Sequence, residues 1–178
     1  MSQQLILVDG TAYLFRSYFS TLSSNLSNES GFPTGAIFGV INSIKHLQRK
    51  YPNDKLIMIF DAKGSNFRHD MYSQYKENRK PADEALIMQI EPLYKIVRAM
   101  GFHFLCIEDV EADDVIATIS KLAQERDFKA IIASSDKDLY QLVNKNINQL
   151  DMKGKLYDVE KVEEKMGVKP HQLEIYWH

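Results

Sequence analysis

The chain alternates two kinds of apolar pattern. Four short runs, LILVD (5–9), KLIMIFD (55–61), FHFLCIED (102–109) and AIIASSD (130–136), place apolar residues at consecutive positions. Such runs predict strands buried on both faces, as in a parallel sheet, rather than half-exposed antiparallel ones. Between them lie segments of helical period. In AIFGVINSIKHLQRKY the apolar residues fall at 37, 38, 41, 44 and 47, one face of a helix. GTAYLFRSYFS and ADDVIATISKLAQERD read as helices too. So does DEALIMQIEPLYKIVRAMG, stopped by Gly101 and kinked or restarted at Pro92. STLSSNLSNESGFPTG, rich in Ser and Asn with Gly and Pro, is a loop.

Further on, DLYQLV reads as a short helix, INQLDM and LYDV as the arms of a hairpin, and VEKVEEKMG and PHQLEIYW as helices. Strands alternating with helices predict an α/β fold around a parallel, doubly wound sheet.

Composition narrows the class. The 178 residues suggest one domain, or one domain plus a fragment of another. A 44% hydrophobic and 26% charged chain is globular rather than disordered. No apolar run approaches the roughly 20 residues of a membrane span, and the N-terminus does not read as a signal peptide. The single cysteine, Cys106, excludes an internal disulfide and points to a cytoplasmic setting. Its place in FHFLCIE predicts a buried structural thiol. The formal net charge of −2 gives no basic surplus, so any nucleic-acid contact must rest on locally clustered cations.

The chemistry concentrates where the strands end. The first run ends at Asp9, the second at Asp61, and the third at Glu108 and Asp109, just before Glu111, Asp113 and Asp114. The fourth ends at Asp136, with Asp138 two residues on. In open α/β sheets ligands bind beyond the carboxyl ends of the strands. Each acid alone serves as well as a turn or helix-cap residue. Together they would repel, and Lys137 is the only adjacent base among them. Divalent cations resolve the conflict. An all-oxygen donor set favours Mg²⁺ or Mn²⁺ over Zn²⁺, and two ions about 3.5–4 Å apart suit in-line attack at phosphorus. The five histidines are scattered.

A second cluster is basic. AKGSNFRHDMYSQYKENRK (62–80) carries Lys63, Arg68, Lys76, Arg79 and Lys80, with Phe67, Tyr72 and Tyr75 interleaved. The same segment also fits a solvated helix face. Beside a phosphate-handling site its cations would contact phosphate oxygens and its rings would stack on unpaired bases. Arg16 follows Asp9 closely enough to serve the same pocket.

LILVDGTAYLFRSYF, GAIFGVINS, IFDAKGSNFRHDMYSQYKENR, QIEPLYKIVRAMG, VEADDVIAT and SDKDLYQLV occur in this order. In these motifs the chain resembles the 5′-nuclease domain at the N-terminus of bacterial DNA polymerase I, within the flap endonuclease superfamily. The resemblance covers nearly the whole chain. It implies a PIN-like three-layer α/β fold with a mainly parallel central sheet over residues 1–178, and a basic arch segment at about 62–82. It implies 5′→3′ exonuclease and flap endonuclease activity by two-metal hydrolysis of DNA, in primer removal and repair. Asp9, Asp61, Glu111, Asp113, Asp114, Asp136 and Asp138 match the metal-binding acids. Lys76 and Arg79 match the catalytic basic pair, with Tyr75 a base-stacking partner. Arg16 also matches a basic position near the site; Arg68 and Tyr72, four apart and on one face if helical, are further candidate DNA contacts, and Glu108 and Asp109 fall outside the motif.

The implied partner is DNA with a free 5′ end, flap or nick, bound by a monomer in the cytoplasm. The family continues into a Gly-Asp-x-x-Asp-Asn segment that opens a helix-hairpin-helix, whereas this sequence stops at EIYWH. A truncated domain that folds but cleaves weakly is the expectation. A stand-alone 5′-nuclease and a non-catalytic DNA-binding module are the alternatives. The arch segment argues against the RNA-cleaving PIN nucleases. VDGT also echoes the Asp-x-Asp-Gly-Thr loop of haloacid-dehalogenase phosphatases, but Leu7 occupies the nucleophile's position, which removes that chemistry.

Overall fold

The computed structural model describes residues 4–62 and 82–176. Strand β1 (Leu5–Asp9) leads into helix α1 (Gly10–Thr21), a 3₁₀ turn (Leu22–Ser24) and helix α2 (Gly35–Lys50). Then come β2 (Lys55–Asp61), α3 (Glu84–Ala99), β3 (His103–Ile107), α4 (Ala112–Glu125) and β4 (Ala130–Ala133). A 3₁₀ helix (Asp138–Leu142), β5 (Ile147–Leu150), β6 (Leu156–Tyr157), α5 (Val159–Met166) and a 3₁₀ segment (Pro170–Tyr176) complete the order.

Among the described residues the strands form one sheet in the order β3-β2-β1-β4-β5-β6. All pairings are parallel except the final β5–β6 hairpin. The period of two along each strand divides the core. Ile6, Val8, Met58, Phe60, Ile131 and Ala133 face α1, α2 and α3. Leu7, Ile59 and Ile132 face the other way, against Ala112, Val115 and Ile116 of α4. Helices therefore cover both faces of the sheet, giving three layers. Each fully buried aliphatic side chain contributes about 1.5–3 kcal/mol.

Two glycines set the spacing of α1 and α2. A Cβ on Gly39 would lie 2.6 Å from the Cβ of Ser17, and one on Gly35 2.4 Å from the Oγ1 of Thr21. The axes approach as closely as they do because neither position carries a side chain.

Two expectations change. The third apolar run is not buried on both faces: β3 is the sheet's edge strand, with His103 and Ile107 exposed. Cys106 is accordingly half-buried, its thiol 3.5 Å from the Asp61 carbonyl and held above its ordinary pKa mainly by desolvation. Helix α3 does not restart at Pro92 but runs through it. Burial of Leu86, Leu93 and Val97 along the same helix outweighs the backbone hydrogen bond the proline removes. Among the described residues no helix is long and apolar enough to cross a membrane.

Candidate active site

β1 and β4 are neighbours at the middle of the sheet, where the chain's progress changes direction, and their carboxyl ends open a crevice. Asp9 closes β1 and caps α1. Its Oδ1 accepts from the Ala12 amide at 2.9 Å and its Oδ2 from the Ser134 hydroxyl, just beyond β4, at 2.7 Å. The residue is only 4% exposed. Burial pushes its pKa up to about 6, assisted by the charges of Asp61 and Asp136 and opposed by its two hydrogen bonds.

Asp61, at the end of β2, is fixed from both sides. Its amide donates to the Thr11 Oγ1 at 2.9 Å, and its Oδ1 accepts from the Ala112 amide at 2.6 Å. The second bond caps α4. Glu111 occupies the N-cap position of that helix but makes no side-chain cap bond. Asp113, in the first turn of α4, has its pKa raised to about 7 by burial and then by the charges of Asp9, Asp136, Asp61 and Glu111. These acids therefore sense one another across a shared space.

Asp136 sits on the loop after β4, and Asp138 opens the 3₁₀ helix that follows it. The Asp136 amide donates to the Ser134 Oγ at 3.1 Å, and its Oδ1 accepts from the Asp138 amide at 3.0 Å. Burial and the charge of Asp136 raise the pKa of Asp138.

Seven acids thus line two adjoining cavities. Asp9, Asp61, Glu111, Asp113 and Asp136 line one of about 630 Å³, together with Thr11 and Phe15. Asp114 and Asp138 line the second, of about 670 Å³, with Glu111 and Asp113 common to both. No Lys, Arg, His or Cys is among the described residues lining the first cavity, whereas Lys121 lines the second. Among the described residues no group of three or more His, Cys, Asp or Glu side chains is arranged to hold a metal ion as it stands. The acids share walls rather than a common point.

Arg16 is exposed on α1 and lines neither cavity; its charge acts on the buried Tyr13. His46, His103 and His171 are exposed and away from both cavities. Arg68, Tyr72, Tyr75, Lys76 and Arg79 lie outside the described residues. Asp61 and Ala82, close to either end of that segment, both line the first cavity. The sequence reading missed Ser134, Thr11 and Phe15. Thr11 sits within the quoted VDGT and Ser134 within ASSD, so proximity to the strand ends was their available signal.

Residues 4–167 match the family described as 5′-3′ exonuclease, N-terminal resolvase-like domain. The chain is 42% identical over 175 residues to DNA polymerase I of Pseudomonas aeruginosa, spanning 97% of this chain and 19% of that one. It is 40% identical over 171 residues to a 5′-3′ exonuclease of Buchnera aphidicola, spanning 95% of this chain and 59% of the relative. Among solved structures, a bacteriophage T5 5′-exonuclease with bound zinc shares the fold at a TM-score of 0.72 and 22% identity, over 95% of this chain and 63% of that one. The catalytic core of Rad2 in complex with a DNA substrate does so at 0.56 and 18%, over 97% and 52%.

Proposed function

The chain belongs to the 5′-3′ exonuclease family through its N-terminal resolvase-like domain, and from that premise we propose that it is a metal-dependent nuclease hydrolysing DNA from a 5′ end, flap or nick. The observation that carries the proposal is the first cavity: five carboxylates from β1, β2, α4 and the loop after β4, with no cation among the described lining residues.

The donor set suits hard divalent cations such as Mg²⁺ or Mn²⁺, since every candidate ligand is an oxygen. Asp9 and Asp113 support the fit, because burial and then the charges of neighbouring acids push their pKa values up to about 6 and about 7, and a cation would relieve that repulsion. Asp9, Asp61, Glu111, Asp113 and Asp136 would hold one ion. Asp114 and Asp138, with the shared Glu111 and Asp113, would hold the second. Loading requires the side chains to turn toward common points. Bound there, the ions would polarise the attacking water and offset charge building on the phosphate.

The chain's own groups do the rest. Asp61 fixes the first turn of α4 and so the place of Asp113. Ser134 holds Asp9 in line. Phe15, 40% exposed at the cavity's edge, offers a ring for a base to stack on. Lys76 and Arg79 belong to a segment whose flanks meet the cavity at Asp61 and Ala82. They would grip the scissile phosphate, with Tyr75, Tyr72, Arg68 and the exposed Arg16 along the strand. We place this work in the cytoplasm, as a monomer, in primer removal and repair.

The test is a labelled 5′-flap duplex incubated with the protein and Mn²⁺. Cutting that disappears in Asp113→Asn, with the far-UV spectrum unchanged, supports the nuclease. Binding without cutting, indifferent to Asp113→Asn, would instead assign a DNA-binding module.

A further inference from the structure

Gln149 lies in β5 with no exposed surface, between the neighbouring strands β4 and β6. Its Nε2 donates to two backbone carbonyls of the loop after β4, Ser134 at 2.9 Å and Asp136 at 2.6 Å. Two carbonyl acceptors fix which end of the amide faces the loop. The other end, Oε1, is buried without a hydrogen-bond partner among the described residues. An apolar side chain could fill this core position with no unpaired atom of its own, but would leave the Ser134 and Asp136 carbonyls without these donors. The amide's distinctive contribution is therefore its pair of N–H bonds.

Those bonds land on the residues that build the acid site. The Ser134 hydroxyl donates to the Asp9 Oδ2 at 2.7 Å and accepts from the Asp136 amide at 3.1 Å. The Asp136 Oδ1 accepts in turn from the Asp138 amide at 3.0 Å. One side chain thus ties down the backbone from which Ser134 reaches Asp9 and from which Asp136 and Asp138 reach the two cavities.

We infer that Gln149 is a positioning residue, whose side-chain amide sets the loop 134–138 and through it the aim of Asp136, Asp138 and the Ser134–Asp9 bond. What those acids do rests on the nuclease reading; the fixing of the loop does not. Methionine matches glutamine in length and offers no donor. Glutamate would set a negative charge against two carbonyls. Asparagine falls one methylene short of them.

The test uses Gln149→Met. In the metal-free protein, hydrogen exchange at the Asp136 and Asp138 amides should quicken about tenfold or more, while the amides of β1 stay protected. Mn²⁺ affinity, read by calorimetry, should fall about tenfold, and kcat on the flap substrate about tenfold with KM within about twofold. Unchanged exchange at 136 and 138, or exchange raised equally throughout the sheet, would overturn the inference. If the wild-type protein neither binds Mn²⁺ nor cuts, the nuclease reading fails and the exchange result still decides the role of Gln149. Should Gln149→Met not fold, the wild-type protein carries the test: the Gln149 side-chain amide protons should exchange far more slowly than those of the exposed Gln48, and equal rates would refute the bonds.

Discussion

The carboxylate of Asp61 caps a helix that starts 51 residues later, accepting the Ala112 amide at 2.6 Å. The local candidate, Glu111, makes no such bond. A residue expected to bind metal is thus also a structural cap, and the two roles separate by substitution. Asp61→Ala removes both and should lower stability by about 0.5–2 kcal/mol. Asp61→Asn keeps an acceptor oxygen but loses the charge, so its unfolding midpoint should stay near wild type while cutting is lost. Urea titrations beside flap assays measure both; equal destabilisation by the two substitutions would refute the cap.

Proton linkage gives a second expectation. Asp9 and Asp113 have folded pKa values of about 6 and about 7 against an ordinary 3.8. Between those limits the folded chain binds more protons than the unfolded one, so in EDTA stability should decline as pH rises from about 4 to about 7 and then level off. For Asp9 the decline is on the order of 2–3 kcal/mol. A divalent cation should oppose it, adding about 2.7 kcal/mol at a hundredfold excess over Kd and helping more at pH 8 than at pH 5. A cation effect equal at both pH values would contradict the acid-cavity reading.

Gly39 offers a purely structural check. An added methyl would meet the Ser17 Cβ at 2.6 Å, a backbone-anchored atom with little room to yield. Gly39→Ala should cost about 1–3 kcal/mol, and Gly39→Ala with Ser17→Gly should recover most of it. Thermal melts of the two variants decide the matter.

Phe15 is expected to act on substrate rather than on the fold, being 40% exposed. Phe15→Ala should weaken DNA handling by about 1–3 kcal/mol, whereas Phe15→Tyr should retain it. Fluorescence anisotropy with single-stranded and flap DNA reports the difference, and identical affinities for all three proteins would remove Phe15 from the substrate path.

Much of this was visible along the chain. Acids at the ends of β1 and β2 and just beyond β4 pointed to the crevice because a parallel sheet sends all its strand ends to one edge. The hairpin of β5 and β6 was legible from INQLDM and LYDV. The exposure of β3 was not, because an edge strand and a central one can share the same apolar run. Nor was the division of the acids, with Asp114 and Asp138 facing a second cavity: that depends on how α4 and the Asp138–Leu142 helix are rotated. Ser134 and Gln149 were silent for a related reason. A hydrogen bond between residues 125 positions apart, such as Ser134 to Asp9, leaves no periodic trace, and one glutamine in a strand resembles any other.

The central place of β1 carries a consequence for biosynthesis. Ser134, the hydroxyl partner of Asp9, is translated 125 residues after it, and β4, which must pair with β1, is made only just before Ser134. At about 5–20 residues per second, the nascent polypeptide spends several seconds or more without an assembled centre. Until β4 and Ser134 have been made, Asp9 lacks both its neighbouring strand and its hydroxyl partner.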